Sequence, residues 1–247
     1  MFEKIRFIYR AWKYKNRYES DEINFLLSHV RPGSIVVDIG CYKGTFLYWF
    51  RKAVGKQGKV FAFEPQPSLA QYLKKMVAKL GYKNVAVEWL GMSSQQGKLP
   101  LYFGNTTGEP STGATLEKRI LDEHDQYQVE VDVDTLDNYF MDAARRPVSF
   151  IKCDVEGHEL DVFEGGKQLL KEDMPIILFE CEARHLHGRS MKEIFSFLEA
   201  FGYNGYFLNN GKLAPLSAFD EQIHQKDMDG RLDLRKDYCN NFVFMKE

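Results

Sequence analysis

The chain has 247 residues, enough for one α/β domain with a substantial core. A formal net charge of −2 gives no whole-protein case for binding nucleic acid, and no apolar run is long enough for a transmembrane helix. The start of the chain lacks the continuous apolar stretch of a secretory signal. The four cysteines (Cys41, Cys153, Cys181 and Cys239) form no CxxC pair, so the sequence reads as a reduced, cytoplasmic protein.

Residues 1–19 carry Lys4, Arg6, Arg10, Lys13, Lys15 and Arg17 against Glu3, while Phe2, Ile5, Tyr9 and Trp12 recur at helical spacing. That is a basic amphipathic helix, whose apolar stripe meets an anionic membrane surface, the rest of the domain or a second subunit of a homodimer. A second helix over 21–30 stops at Arg31-Pro32-Gly33, so 1–33 is expected as a helical segment ahead of a main domain at 34–247.

Strand and helix then alternate: strand 34–39, helix 44–54, strand 59–64, helix 67–80, strand 84–90. Residues 98–103 suggest a short extra strand, 105–113 a loop, 128–133 a strand and 135–144 a helix. The alternation resumes with strand 148–153, helix 158–171, strand 175–181, helix 190–200 and strands near 203–208 and 241–245. Repeated βα units imply a mainly parallel sheet with helices on both faces. The polar stretch 209–239 receives no assignment.

The first strand ends Asp38-Ile39-Gly40-Cys41-Tyr42-Lys43-Gly44, and the second ends Phe63-Glu64-Pro65. Glycine lets backbone approach a ligand, and a carboxylate at the second strand end can accept hydrogen bonds from ribose hydroxyls. The loop lacks the three-glycine spacing of a dinucleotide-binding turn, and Asp38 would repel a pyrophosphate. A zwitterionic amino-acid tail tolerates that carboxylate, so the loop suits S-adenosylmethionine (SAM) better than NAD.

Four blocks resemble the FkbM family of SAM-dependent methyltransferases: Val36 to Gly44, Phe61 to Pro65, Val133 to Asp137 with Ile151-Lys152-Cys153-Asp154-Val155-Glu156-Gly157-His158-Glu159, and Pro175 to Glu180. The likeness covers roughly 34–182, with an echo at Asn240 to Phe244. Cys41-Tyr42-Lys43 departs from the family's usual Ala-Asn-x. The resemblance implies a class I SAM-dependent methyltransferase fold, Rossmann-like, with seven mostly parallel strands in the order 3-2-1-4-5-7-6. Strands 1, 4 and 5 would then be neighbours, bringing Asp38, Asp154 and Glu180 to one sheet edge. Cys41, Cys153, Cys181 and Cys239 would share that edge, or each fill a small buried gap.

On that fold, Asp38 and the backbone around Gly40, Cys41, Tyr42 and Gly44 would hold the methionine part of the cofactor. Glu64, with Pro65 after it, would take the ribose, while Gln66, Met92 and Ser93 would flank adenine. Asp154 would project toward the methionine end or the acceptor. An alcohol acceptor needs a base, with Glu180, Asp154, His158, Glu182 and His185 as candidates and Glu180 favoured for its place at the end of an apolar strand. His185 and His187 fall in a loop. No ligand pair has a diagnostic metal spacing, so no metal is expected.

The resemblance implies O-methylation of a hydroxyl on a small molecule or glycan, and the loop 104–116, with Thr112, Gly113, Ala114 and Thr115, is the expected cover over that acceptor. Two rivals are an NAD-dependent oxidoreductase, disfavoured by the loop, and a non-catalytic scaffold that retains the fold.

Overall fold

The structure is a computed structural model, and it describes residues 2–118, 127–186, 188–226 and 237–246. It opens with helices α1 (Phe2–Arg17) and α2 (Ser20–His29), followed by β1 (Ile35–Ile39), α3 (Thr45–Val54), β2 (Lys59–Phe63), α4 (Pro67–Leu80) and β3 (Val85–Glu88). Three strands follow, β4 (Gly91–Met92), β5 (Gly97–Tyr102) and β6 (Gln128–Asp134), then the short α5 (Leu136–Tyr139). Next come β7 (Val148–Cys153), α6 (Glu159–Glu164), α7 (Lys167–Asp173), β8 (Ile176–Glu180) and α8 (Met191–Ala200). The chain closes with β9 (Asn204–Asn209), β10 (Lys212–Pro215), α9 (Glu221–His224) and β11 (Asn241–Met245).

Among the described residues the main sheet has eight strands, in the order β10-β9-β11-β8-β7-β1-β2-β3. Omitting β10, this is the expected 3-2-1-4-5-7-6 arrangement, with β11 antiparallel to both its neighbours. The expected count of seven is corrected to eight because β10 folds back on β9 through Asn210-Gly211. Both turn residues have positive φ (50° and 75°), as a two-residue hairpin turn requires. The short extra strand expected at 98–103 and the strand expected at 128–133 both form, but they pair with each other as β5 and β6 in a separate three-stranded sheet with β4.

Alternate residues of the buried strands serve two cores. Val37, Ile39, Phe61 and Phe63 face the layer of α6 to α8, whereas Val36, Val60 and Ala62 face α1 to α4. Two expected helices are shorter than foreseen. The one at 158–171 breaks into α6 and α7 at Gly165-Gly166, where Gly165 abuts the carbonyl of Ser93. The one at 135–144 ends at Tyr139, and Asp142 then caps a separate single turn over Ala143–Arg145.

Helix α1 lies across α3 and α4 on Phe7 and Ala11, with Trp49 Nε1 donating to the Ala11 carbonyl (3.1 Å) and Glu3 paired with Lys75 and Lys79. Of the three surfaces the sequence offered for the stripe at Phe2, Ile5, Tyr9 and Trp12, the rest of the domain covers little. All four stay exposed, and Trp12 sets its ring edge-on to the buried Trp49 (5.0 Å between centres). No helix among the described residues is long and apolar enough to cross a membrane.

Candidate active site

A cavity of about 250 Å³ opens at the carboxyl ends of β1, β2, β7 and β8, where the strand order reverses between β1 and β7. Gly40, Cys41, Tyr42 and Lys43 form one wall, and Glu64, Pro65 and Gln66 a second. Leu90, Gly91 and Met92 continue round to the loop residues Thr112, Ala114, Thr115 and Leu116. Asp154, Val155, Glu156 and Glu180 complete it from β7 and β8, and Tyr14 and Glu19 enter from the N-terminal helices.

The loop after β1 is fixed by backbone. Gly40 and Cys41 both donate to the Phe63 carbonyl, and Asp154 N donates to Ile39 O (3.0 Å). A Cβ on Gly40 would sit 1.8 Å from the Asp154 carbonyl oxygen, at φ +75°, so only glycine allows the two loops to meet. Beside them Glu64 accepts from Tyr42 N (2.7 Å) through Oε2 and from Gln66 N (2.9 Å) through Oε1. Burial nevertheless pushes its carboxyl up to about 7, against the pull of those amides.

Beneath the cavity lies a buried charge cluster centred on Lys152, whose Nζ is 3.7 Å from Asp154 Oδ2 and 5.2 Å from the centre of the Phe46 ring. Burial works against its ammonium, but the carboxylates of Asp154, Glu180 and Glu19 hold its pKa above the ordinary lysine value. Burial raises Asp38 to about 7, with Lys152 opposing and Asp154 and Glu64 adding to the rise. Glu19 is raised to about 8 and Glu180 well above its usual range, each chiefly by burial. Asn240 Nδ2 bridges Glu180 (2.8 Å) and Glu182 (3.1 Å), and Arg184 pairs with Glu182. Asp38 Oδ2 and Glu19 Oε2 are buried without a hydrogen-bond partner among the described residues.

The sequence-derived residues divide in two. Gly40, Cys41, Tyr42, Glu64, Pro65, Gln66, Met92, Asp154 and Glu180 line the cavity. Asp38 lies behind the loop rather than in the wall, and Gly44 caps α3 with its Cα turned to Phe7 and Leu73. Ser93 and His158 are also outside the lining, because they bind each other: Ser93 Oγ is 2.9 Å from His158 Nε2.

His158 Nδ1 lies 2.5 Å from Glu117, and Arg189 holds Asp161 at 2.6 Å, so the one described trio within reach of a single ion (Glu117, His158, Asp161) is closed on its own partners. His185 pairs with Glu156 (3.0 Å), and His187 lies outside the described residues. Of the cysteines only Cys41 lines the cavity; all four are buried, and burial raises each thiol.

Sequence reasoning missed Tyr14, Glu19 and the central place of Lys152. A lysine inside the otherwise apolar run Val148–Cys153 was the available signal for the last. It also missed Glu159, whose Oε1 accepts from the amides of Val155 (3.3 Å) and Gly157 (3.2 Å) and so shapes the loop after β7.

With this geometry in place, the comparisons with known proteins decide the family. The model described as the methyltransferase FkbM domain matches residues 38–204. The chain belongs to the FkbM methyltransferase family. The 2-O-methyltransferase NoeI of Sinorhizobium fredii (strain NBRC 101917 / NGR234) is 26% identical over 149 residues, covering 57% of this chain and 60% of that protein. The methyltransferase sdnD of Sordaria araneosa is 33% identical over 165 residues, covering 56% of this chain and 62% of that protein. The matches thus span about 60% of the length of these curated relatives. Among solved structures, an FkbM methyltransferase from Methylobacillus flagellatus KT superposes with a TM-score of 0.54 at 15% identity, over 86% of this chain and 44% of that one.

The cofactor of this FkbM-family chain is SAM, and the site suits it. Five carboxylates line the cavity (Glu19, Glu64, Asp154, Glu156 and Glu180), and among the described residues the buried oxygens Glu19 Oε2 and Asp38 Oδ2 have no hydrogen-bond partner. That donor set attracts a cationic ligand and repels a pyrophosphate.

Proposed function

We propose that the chain is a SAM-dependent O-methyltransferase acting on a hydroxyl of a small molecule or glycan. The observation that carries the reading is the meeting of Glu64, Asp154 and Glu180 in one cavity, the last two above the buried Lys152. The name of the NoeI relative, a 2-O-methyltransferase, is in keeping with a hydroxyl acceptor.

Glu64 has lone pairs left beyond the amides of Tyr42 and Gln66, and these accept the ribose hydroxyls. The Gly40–Tyr42 backbone, with Asp154, Glu19 and the field of Asp38 beneath, holds the amino-acid end. Pro65 and Met92 give the apolar walls for adenine. Gln66 acts through the loop, since its side chain exchanges two hydrogen bonds with the Ser111 backbone (3.0 and 2.9 Å). SAM supplies a methyl group already activated by its sulfonium. The protein's part is alignment and exclusion of water, with Thr112, Ala114 and Thr115 closing over the acceptor side. Glu180 takes the acceptor proton, because its buried carboxylate is a stronger base than a solvated one. His158 is a brace between Ser93 and Glu117.

Isothermal titration of SAM, with NAD as the control, tests the reading. Wild type is expected to bind SAM and not NAD, and Glu64→Ala to bind more weakly by about 1–3 kcal/mol, the cost of an unpaired polar contact. A wild-type chain that binds no SAM would sink it and favour the scaffold.

A further inference from the structure

Helix α1 has two apolar faces, and the fold buries one. Phe7 and Ala11 are buried against α3 and α4. Phe2, Ile5, Tyr9 and Trp12 are spaced three, four and three residues apart, so they form a second stripe on one side of the helix. These four remain 89%, 58%, 67% and 43% exposed, and Trp12, at the stripe's inner edge, meets a side chain of the core, its ring edge-on to Trp49 (5.0 Å between centres). Scattered exposed apolar residues need no explanation, but an ordered stripe of an aliphatic and three aromatic side chains does.

The charges around the stripe point to its occupant. The chain is nearly balanced, with 33 basic and 35 acidic residues, yet α1 carries six basic residues and one acidic one. The acidic residue, Glu3, is paired with Lys75 and Lys79 of α4, which leaves the face cationic. Arg10 is turned inward, donating to Lys43 O and Tyr72 Oη (both 3.1 Å). Lys4, Arg6 and Arg17 stay exposed, and Lys52 lies over the Trp12 ring at 5.3 Å, at the stripe's edge.

We infer that this face of α1 docks the protein on an anionic lipid surface. Apolar and aromatic side chains enter the headgroup boundary while flanking Lys and Arg bind anionic headgroups, the pattern of an interfacial helix. A second copy would bring two such cationic faces together. The orientation also has a use, because Tyr14 of α1 and Glu19 just beyond it line the cavity. The inference does not rest on the proposed reaction.

Co-sedimentation of the intact chain with phosphatidylcholine vesicles, with and without phosphatidylserine, tests it. Binding is expected only with phosphatidylserine, and should weaken steeply as salt is raised. Phe2→Ser with Ile5→Ser should lower the partition coefficient at least about tenfold while leaving circular dichroism unchanged, since neither side chain is buried. An Arg6→Glu chain should lose binding at low salt. No binding of wild type to phosphatidylserine vesicles overturns the inference. So does binding that ignores the Phe2 and Ile5 changes, self-association at this face in place of vesicle binding, or tighter binding to RNA than to lipid.

Discussion

The Lys152 ammonium lies 3.7 Å from the Asp154 carboxylate, in a part of the molecule where lysine has almost no access to water. Its charge offsets Asp38, Glu19 and Glu180 as well as Asp154. Lys152→Met keeps the volume and removes the compensation, leaving several buried carboxyls without a cation. Urea unfolding at pH 8 should show a loss of about 3–5 kcal/mol. At pH 5, where Asp38, Glu19 and Glu180 take up protons, the loss should shrink. An equal loss at both pH values would mean that packing, not charge, is what Lys152 provides.

The raised carboxyls carry a pH signature. Asp38 and Glu64 are both pushed up to about 7 by burial. Their folded values lie above the unfolded ones, so their contribution to stability is complete below about pH 4 and is lost as pH rises through about 7. A cationic cofactor favours the ionised forms, so its binding should release protons and tighten from pH 6 to 8. Titration calorimetry in two buffers of different ionisation enthalpy measures the release, and Glu64→Gln should diminish it.

Glu180 and His158 were both candidate bases, and kinetics separates them. Glu180→Gln should lower kcat by about 10²–10⁴, the usual worth of a general base, with SAM affinity retained. His158→Gln should lower the melting temperature through the lost bonds to Ser93 and Glu117, and leave the shape of the pH–rate profile alone. A profile altered by His158→Gln and not by Glu180→Gln would reverse the assignment.

Gln66 is the latch of the loop above the cavity. Gln66→Ala removes both hydrogen bonds to Ser111, a loss of roughly 1–3 kcal/mol in local order. Limited proteolysis within 104–116 should quicken, and acceptor KM should rise more than the Kd for SAM. Unchanged cleavage would show that the bridge of Thr115 to Tyr102 and its bond to Glu156 O hold the loop alone.

Much of this site was legible because its parts are local. Asp38 to Tyr42 and Glu64 to Gln66 each sit at the end of a buried strand, where an apolar run meets glycine or a carboxylate, and pattern alone finds such junctions. The helix over 67–80 was legible from Pro67 at its first turn and Gly81 after its last. Other features depend on which surfaces meet. In α1 the stripe through Phe2 and the pair Phe7 and Ala11 both have helical spacing, and spacing cannot say which one the domain covers. Glu19 joins the cavity only because α1 and α2 fold across the sheet. Ser93 looked like a cofactor contact until His158, far along the chain, took its hydroxyl. The Asn210-Gly211 hairpin, by contrast, was visible in the sequence as a turn dipeptide inside a stretch left unassigned.

The backbone contact between Gly40 and Asp154 has a bearing on how the molecule is made. The cavity floor joins the end of β1 to the end of β7, and β1 lies in the sheet between β2, its neighbour in sequence, and the distant β7. Such pairing of distant segments comes late in folding, after the chain between them has closed. A nascent chain that has emerged only as far as β6 therefore has Glu64 in place but no floor. Cofactor can stabilise the finished protein, but it cannot serve as a template for its early folding.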